Sequence, residues 1–398
     1  MIRRRLLFPA AGLLGIVTAP APATRDGLAL VDVTIQPLTG AAPLVHQTIL
    51  VEDGKITAVG PSASVRPPRG ASVIQGRQWV VIPGLADMHA HSLVRDRWKL
   101  LGYGITAVRG MWGVPEHEAL RDSVARGETP GPWIALASPG LDGHPASWPL
   151  TQFVDSLADV VPVVERQMGH GFRWLKIYSR LSLPVYDSIV ATAKHLHLEF
   201  VGHVPFAVPV EHALALGQRS IEHLSGYNIA LDQFTDPPGA DSSRMMALVG
   251  ATVAAGTWNC PTLAITGALA RRGPNADRVI ANRRRLVAAL YRAGARLLVG
   301  TDSGIDIVPA GAALGDELAE FVAAGVPATE ALAMATRGAA EFLGEADAWG
   351  RIAPGMRADL LLLEGDPVRD LGVLRRPAGL VLHGRWVSGD TLAAWRER

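Results

Sequence analysis

The chain has 398 residues, of which 48% are hydrophobic and 19% are charged, and its formal net charge is +1. This composition is typical of a globular protein with a large core and excludes a disordered chain. The low net charge and the scattered basic residues argue against nucleic-acid binding. The single cysteine, Cys260, excludes an internal disulfide and a multi-cysteine zinc site.

The first 23 residues have the features of a secretory signal peptide. Arg3-Arg4-Arg5 forms a positive region, residues 6–17 form a short apolar region, and Ala19-Pro20-Ala21 offers small residues for cleavage. Prolines interrupt the apolar stretch, which is too short to predict a membrane span. We therefore expect a periplasmic or secreted protein with no stable membrane anchor after signal removal. If residues 1–23 are not processed, a cytoplasmic location is expected instead.

Both ends of the remaining chain predict short β-strands. Residues 28–37 alternate apolar and polar side chains, and residues 48–59 predict a hairpin that turns at Asp53-Gly54, a dipeptide suited to a type I′ turn. Residues 358–387 predict a buried strand followed by another hairpin. Neither group is large enough to bury a sheet face alone. We therefore predict one composite β-sandwich formed by residues 24–80 and 346–398.

The region between them, residues 81–345, alternates short apolar strands with helical patterns such as those at 182–197 and 277–293. Eight strands alternating with helices over about 250 residues predict a (β/α)8 TIM barrel, inserted into the sandwich. The alternative is an open doubly wound sheet, but no Gly-x-Gly-x-x-Gly motif follows the first strand. The predicted strands are 82–89, 105–109, 133–137, 174–178, 200–204, 219–223, 252–255 and 297–301.

Metal-binding residue types lie at the carboxyl ends of these strands, where the catalytic groups of this barrel fold converge. His89 and His91 are two positions apart, so a strand can point both imidazoles to the same face. Imidazole nitrogens and carboxylate oxygens are typical zinc ligands, so a metal centre is predicted at this end of the barrel. The other candidate ligands are Lys176, His203, His223 and Asp302.

Two of these candidates also have simpler interpretations. Lys176 could extend from the end of an apolar strand to solvent, and Asp302 could stabilise the turn that Asp302-Ser303-Gly304 predicts. A closed barrel places its eighth strand beside its first, which brings Asp302 near the histidine pair and favours a catalytic role.

The chain resembles the amidohydrolase superfamily of metal-dependent hydrolases from its leading β segment to its closing hairpin. Within it, the imidazolonepropionase-like and prolidase-like branch, which includes ochratoxin-hydrolysing amidases, is the most similar. The motifs that carry the resemblance are Pro83-Gly84-Leu85-Ala86-Asp87-Met88-His89-Ala90-His91, Lys176 within Trp174-Leu175-Lys176-Ile177-Tyr178, Gly202-His203-Val204-Pro205, Ile221-Glu222-His223-Leu224 and Gly300-Thr301-Asp302.

The resemblance implies two divalent ions, most often Zn²⁺, bridged by a lysine carboxylated on its side-chain nitrogen. By position, His89, His91 and Asp302 match the ligands of the first ion, and His203 and His223 match those of the second. Lys176 matches the bridge. As a free ammonium group it would be repelled by the ions, whereas carboxylation makes it anionic.

Two cations about 3.5–4 Å apart can hold a water between them and lower its pKa from 15.7 toward about 7. Asp302 could then be both a ligand and the general base, taking the proton of this nucleophile and delivering it to the leaving nitrogen. We expect a binuclear amide hydrolase that cleaves an Xaa-Pro-type dipeptide or an N-acyl amino acid. The alternatives are a mononuclear cyclic amide or imidazolone hydrolase or deaminase, with Lys176 unmodified, and a catalytically inactive barrel scaffold.

Residues for the substrate are predicted around this centre. Tyr178 shares a strand face with Lys176 and could stabilise the developing oxyanion. His144, in a loop that resembles one in a relative, could hydrogen-bond the substrate carbonyl, and Arg180 could pair with a substrate carboxylate. Further residues near strand ends or in their loops predict an aromatic-lined pocket; they are Trp112, Trp148, Tyr227 and Trp258.

Two other polar residues are given no part in the site. Relatives commonly have an Arg-Asp pair on the second strand, whereas this chain has Val108-Arg109-Gly110, so Arg109 is assigned no catalytic task. His117 is expected on the surface. The expected partner is a small-molecule amide or a dipeptide, and the sequence leaves a homo-oligomer open.

Overall fold

A computed structural model of the chain describes residues 27–145, 148–231, 242–273, 275–304 and 307–398. The predicted signal peptide lies outside this part of the chain. Within the described ranges, no helix combines the length and apolarity needed to cross a membrane. The structure begins with five strands: β1 (Leu28–Ile35), β2 (Leu44–Glu52), β3 (Lys55–Pro61), β4 (Ser72–Gln75) and β5 (Val80–Pro83).

Alternating strands and helices follow. The strands are β6 (Leu85–Ala90), β7 (Ile105–Gly110), β8 (Trp133–Asp142), β9 (Gln152–Phe153), β10 (Trp174–Ile177), β11 (Glu199–Gly202), β12 (Ser220–Glu222) and β13 (Trp258–Cys260). The helices are α1 (Leu93–Gly102), α2 (Pro115–Ala125), α3 (Leu157–Met168), α4 (Leu183–His195), α5 (Val210–Ala215), α6 (Tyr227–Ala230), α7 (Ser242–Ala255), α8 (Leu263–Ala270), α9 (Ala276–Arg292), α10 (Ala312–Ala323), α11 (Ala328–Ala333) and α12 (Ala339–Phe342), with a π-helical turn at Met334–Gly338 between the last two.

The chain ends in a second group of short strands. These are β14 (Leu360–Leu363), β15 (Gly379–Leu382) and β16 (Arg385–Ser388), with a 3₁₀ helix at Leu371–Arg375 and a final helix α13 (Gly389–Arg396).

The middle strands form a parallel barrel. Their order is β13-β12-β11-β10-β8-β7-β6, and β9 pairs with β8. Residues 297–303 close the barrel between β13 and β6. On one side the Leu298 N–H donates to the Asn259 carbonyl at 2.8 Å, and on the other the Met88 N–H donates to the Val299 carbonyl at 3.0 Å. This segment serves as the eighth strand, and the predicted TIM barrel is confirmed.

The seventh barrel strand differs from the prediction. Residues 252–255 were expected to form it, but they are the last turn of α7, and the strand is β13. Thr252 is β-branched, which favours strands, yet its hydroxyl donates to the Leu248 carbonyl at 2.7 Å within the helix. Gly256 follows with a φ of 66°, a conformation that favours glycine and ends helices.

Strands from both ends of the chain share one further sheet. Its order is β16-β15-β14-β5-β1-β2-β3, with β4 paired to β1. The two ends meet where β14 pairs antiparallel with β5, with Leu361 opposite Ile82. The sheet buries its own apolar cluster, which includes Leu30, Ile49 and Val381. The predicted fold class is thus confirmed, while the boundaries at residues 80 and 346 stay a prediction.

Candidate metal centre and active site

Five of the six predicted ligands form a compact group at the carboxyl end of the barrel. His91 Nε2 lies 2.8 Å and His89 Nε2 lies 3.2 Å from the same oxygen, Asp302 Oδ1. The ring centres of His89 and His223 are 4.6 Å apart, and those of His203 and His223 are 4.9 Å apart. Ligand atoms of His89, His223 and Asp302 lie within 4.8 Å of one another, close enough to hold one metal ion.

The sixth predicted ligand, Lys176, lines the same cavity. Its side chain is buried, and among the described residues its Nζ has no hydrogen-bond partner. His89 Nε2 is also buried without a hydrogen bond, because Asp302 Oδ1, at 3.2 Å, is not in hydrogen-bonding geometry. Burial lowers the pKa of Lys176 to about 8, against the opposing charges of Glu222 and Asp302. A buried amine and a buried imidazole nitrogen without partners are costly unless a further group satisfies them. The donor set therefore fits a bound cation.

The backbone turns sharply where these side chains enter the cavity. His223 and Asp302 both have a φ of 59°, in the left-handed region that non-glycine residues seldom adopt. Gly202, just before His203, has a φ of 124°, and a Cβ there would lie 2.2 Å from the Ile177 carbonyl oxygen. Only glycine allows β11 to pack this closely against β10. Such strain is concentrated at functional sites, where the surrounding structure maintains it.

Three of the four histidines are held through Nδ1, which leaves their Nε2 atoms for a metal ion. Each Nδ1 partner comes from a different part of the barrel. The contacts are His89 to Glu222 Oε2 at 2.9 Å, His203 to Ser179 Oγ at 2.8 Å, and His223 to Thr262 Oγ1 at 2.7 Å.

Burial also keeps these imidazoles in the neutral form that binds metal. It lowers the pKa of His91 and takes the pKa of His203 well below its usual value, and it lowers the pKa of His223 to about 3. For Asp302, burial alone would raise the pKa. The nearby His223 and His89 reverse this effect and hold the pKa of Asp302 well below its usual range. Its carboxylate is therefore ionised.

A buried carboxylate, Asp87, joins the first strand to the eighth. It accepts the Thr301 hydroxyl at 2.6 Å, the Thr301 N–H at 3.0 Å and the His89 N–H at 3.1 Å. Burial raises the pKa of Asp87 to about 6, although these hydrogen bonds oppose the rise. Asp87 thus fixes the spacing of the strands that carry His89 and Asp302.

A buried ion pair that the sequence analysis missed lies beneath the metal centre. Arg109 donates through Nη2 to Glu222 Oε2 at 2.8 Å, through Nη1 to Ser220 Oγ at 2.9 Å and through Nε to the Met88 carbonyl at 2.6 Å. Ser220 in turn donates to Glu222 Oε1 at 2.5 Å. Burial would raise the pKa of Glu222, but Arg109 and the hydrogen bond from His89 hold it well below its usual range. The sequence did offer one indication of this ion pair. Ser220 and Glu222 are two polar residues that alternate along a strand just before His223.

The cavity in front of the metal centre has a volume of about 280 Å³ and largely apolar walls, which include Trp112, Val114 and Leu150. Tyr178 faces it, with its ring stacked on that of His203 at 4.2 Å. Burial raises the pKa of Tyr178 to about 12, so its phenol stays protonated at neutral pH. The predicted places of Tyr178 and Trp112 in the cavity agree with the structure.

A third predicted aromatic residue, Trp148, also lines the cavity and contacts the Tyr178 hydroxyl. Trp148 Nε1 donates to the Tyr178 hydroxyl at 2.6 Å. Because the Tyr178 oxygen accepts this bond, its own O–H is free to donate to a bound molecule. Trp148 itself is 44% exposed and forms part of the cavity wall.

Two predicted substrate residues lie in the core instead of the cavity, so these predictions are wrong. Tyr227 is fully buried, and its hydroxyl is 2.6 Å from Thr252 Oγ1. Trp258 is 3% exposed and packs edge-on against Phe342, with ring centres 5.6 Å apart. Trp258 begins β13, so it lies at the end of the barrel opposite the site.

His144 and Arg180 also lie outside the residues that line the cavity. His144 stacks on Phe153 at 3.6 Å and donates through Nδ1 to Asp155 at 2.6 Å. The Arg180 guanidinium lies 4.0 Å from Asp142, whose other oxygen accepts the Arg180 N–H at 2.5 Å. This arrangement gives no support to the predicted contacts of His144 with a substrate carbonyl and of Arg180 with a substrate carboxylate.

His117 was expected on the surface, but it is 7% exposed and lines the cavity. Burial lowers the pKa of His117, although a hydrogen bond to the Trp112 backbone opposes this. Within the described ranges its Nδ1 has no hydrogen-bond partner. His117 lies in the first turn of α2, directly after the loop at the carboxyl end of β7. Residues at this end of a barrel strand face the site, so its position could have predicted a place in the cavity.

The chain is similar to known proteins in sequence and structure. The family model for the amidohydrolase family matches residues 99–387. A presumed prolidase from Bifidobacterium longum is 24% identical, with a TM-score of 0.78 over 94% of this chain and 99% of the other. The bottromycin amidohydrolase AH is 30% identical, with a TM-score of 0.73 over 94% of this chain and 89% of the other.

A third similar structure is the A. niger ochratoxinase, which is 18% identical and has a TM-score of 0.72 over 92% of this chain and 96% of the other. A search of curated protein sequences gives no significant match. The family match covers most of the barrel and part of the terminal sheet, and it confirms the predicted resemblance. The chain belongs to the amidohydrolase family and is a metal-dependent hydrolase that acts on C–N bonds.

Proposed function

We propose that the chain is an amide hydrolase that holds two divalent ions, preferentially Zn²⁺. His89, His91 and Asp302 would hold one ion, His203 and His223 the other, and carboxylated Lys176 would bridge them. The observation that supports this most is the meeting of these side chains in one cavity while Lys176 Nζ and His89 Nε2 are buried without hydrogen-bond partners in the described structure.

The state of Lys176 decides whether two ions can be held. An ammonium group would repel them, but with a pKa of about 8 about a tenth of the amine is neutral at pH 7, far more than for an ordinary lysine. Only the neutral amine can react with carbon dioxide to form a carbamate. Its buried environment therefore favours the modification that would give the bridge a negative charge.

When bound, the ions would lower the pKa of a water molecule and polarise the scissile carbonyl. The protein's own residues would do the rest. The Asp302 carboxylate would accept a proton and pass it to the leaving nitrogen. Tyr178, with its oxygen held by the Trp148 N–H, would donate its O–H to the oxygen on which negative charge develops.

The cavity supports a substrate with an apolar group beside the scissile amide. Trp112, Val114 and Leu150 offer apolar surface, which suits a proline ring or an aromatic side chain. The names of the similar proteins, a prolidase, an ochratoxinase and a bottromycin amidohydrolase, agree with amide substrates. We therefore propose an Xaa-Pro-type dipeptide or an N-acyl amino acid as the substrate.

Metal analysis combined with a substrate screen tests this function. We expect two ions per chain in purified protein and hydrolysis of members of Xaa-Pro or N-acyl-aromatic amino acid libraries. A Lys176→Ala variant should hold fewer ions and lose turnover. One ion per chain in the unaltered protein would favour the mononuclear hydrolase or deaminase instead. Protein that holds no metal and cleaves nothing would favour a scaffold.

We also propose that residues 1–23 direct export to the periplasm or the medium. Mass spectrometry of the mature chain from each compartment would test this. A mature chain that retains Arg3-Arg4-Arg5 and stays in the cytoplasm would contradict it.

A further inference from the structure

The histidines of the metal centre differ in what holds their Nδ1 atoms. His203 and His223 donate to neutral hydroxyls, those of Ser179 and Thr262. His89 donates instead to the carboxylate of Glu222 at 2.9 Å. A hydrogen bond to an ionised acceptor is roughly twice as strong as one between neutral groups. The hydrogen bond that holds His89, in the first proposed ion site, is therefore stronger than those that hold His203 and His223 in the second.

The position of Glu222 is itself fixed. Its Oε2 accepts from both His89 and Arg109, and its Oε1 accepts from Ser220. Glu222, Arg109 and Ser220 are all fully buried, and the guanidinium of Arg109 also lies 4.8 Å above the ring of Phe342. Because these contacts come from β6, β7 and β12, three barrel strands hold both carboxylate oxygens of Glu222.

We propose that Glu222, fixed by Arg109 and Ser220, is a positioning residue that makes the ion site containing His89 the tighter of the two. Its carboxylate holds the proton of His89 on Nδ1 and sets the ring plane, so that Nε2 faces Asp302. It also makes Nε2 a stronger donor to a cation, as carboxylate partners of ligand histidines do. The inference rests on the proposed ligand assignment.

Arg109 gives the network its charge balance. A buried carboxylate without a cationic partner would be strongly destabilising. Removal of Arg109 would therefore perturb folding as well as metal binding. Glu222→Gln also leaves the buried Arg109 without an anionic partner and is expected to destabilise the fold. The amide nevertheless keeps an oxygen toward His89 and Arg109 and can donate to Ser220 Oγ, so the hydrogen bonds around Arg109 are retained.

The test is a zinc titration of apo-protein against a competing chromophoric chelator. We expect two binding steps in the unaltered protein. Glu222→Gln should weaken the tighter step about 10- to 100-fold and change the weaker step less than about threefold. The matched controls Ser179→Ala and Thr262→Ala remove the neutral partners and should affect the weaker step alone. Thermal unfolding of the apo forms reports whether each variant is folded.

The proposal is overturned if Glu222→Gln leaves both affinities unchanged, weakens both equally, or weakens only the weaker step. If Glu222→Gln does not fold, Glu222→Asp keeps the charge but is too short to reach His89, and it should cause the same selective loss. A single zinc step in the unaltered protein would contradict the binuclear function, yet Glu222→Gln should still weaken that step. Apo-protein that binds no zinc would contradict both proposals.

Discussion

His91 Nε2 lies 2.8 Å from Asp302 Oδ1, although 211 positions separate the two residues. The contact crosses the seam where the eighth strand of the barrel meets the first. On the same seam, the Asp302 N–H donates to the His89 carbonyl at 2.7 Å. Asp302 is therefore held beside the histidine pair by the barrel backbone as well as by its side chain.

Asp302→Asn should keep the fold and part of the metal but lose turnover by orders of magnitude. The amide retains an oxygen ligand, but it cannot accept and return a proton, a function worth about 10²- to 10⁴-fold. Steady-state kinetics together with metal content measures the two effects separately. Asp155→Asn, which changes an exposed carboxylate outside the cavity, is the control. A near-normal kcat for Asp302→Asn would refute its role as the base.

Tyr178→Phe should lower kcat about 10²- to 10³-fold, the usual loss when one oxyanion donor is removed. Trp148→Phe keeps an aromatic wall but loses the N–H that holds the Tyr178 oxygen, so a smaller loss of kcat is expected with little change in KM. The double variant should be no worse than Tyr178→Phe alone. If Trp148→Phe lowers kcat equally in both backgrounds, Trp148 does not act through Tyr178.

The metal-binding geometry was predictable because it depends on local patterns. Each candidate ligand, such as His89 or Asp302, ends an apolar run, and barrel topology brings strand ends together without any knowledge of packing. The same reasoning failed for Trp258. An error of a few residues in the seventh strand moved this side chain from the cavity end of the barrel to the opposite end.

Partners that satisfy buried polar groups were not predictable from the same patterns. Tyr227 follows a strand end, yet its hydroxyl is bonded to Thr252 in another helix. The role of Arg109 in holding Glu222 was not predicted, because its partners, Ser220 and Glu222, lie 111 and 113 positions away in the sequence. Pairing of this kind depends on which side chains face each other across the barrel, and strand periodicity gives only the direction of each.

His117→Ala should lower kcat/KM about fivefold or more, whereas His144→Ala should leave it nearly unchanged. His117 lines the cavity with an unpartnered nitrogen, as far as the described residues show, and the loss of one hydrogen bond to substrate costs about 1 kcal/mol. His144 is engaged with Asp155 and Phe153 outside the lining. Substrate saturation curves of both variants make the comparison. The reverse order of effects would restore the predicted role of His144.

The burial of Glu317 predicts a pH dependence of stability. This fully buried residue of α10 accepts the N–H groups of Leu263 and Ala264, at 2.9 and 2.7 Å, in the first turn of α8. Burial raises the pKa of Glu317 from 4.5 to about 8, although both hydrogen bonds oppose the rise. Between these two values the unfolded chain loses the proton and the folded chain keeps it.

The folded state then binds more protons, so the contribution of Glu317 to stability falls as pH rises from about 4.5 to about 8 and is constant above that. Glu317→Gln is neutral at every pH and should lose less stability over this window than the unaltered protein. Urea unfolding midpoints of both proteins from pH 5 to 9 measure the difference. Asp316→Asn, an exposed neighbour on α10, controls for the loss of a carboxylate. If the difference in urea midpoint between the unaltered protein and Glu317→Gln is the same at every pH from 5 to 9, Glu317 is ionised over this whole range and the prediction is wrong.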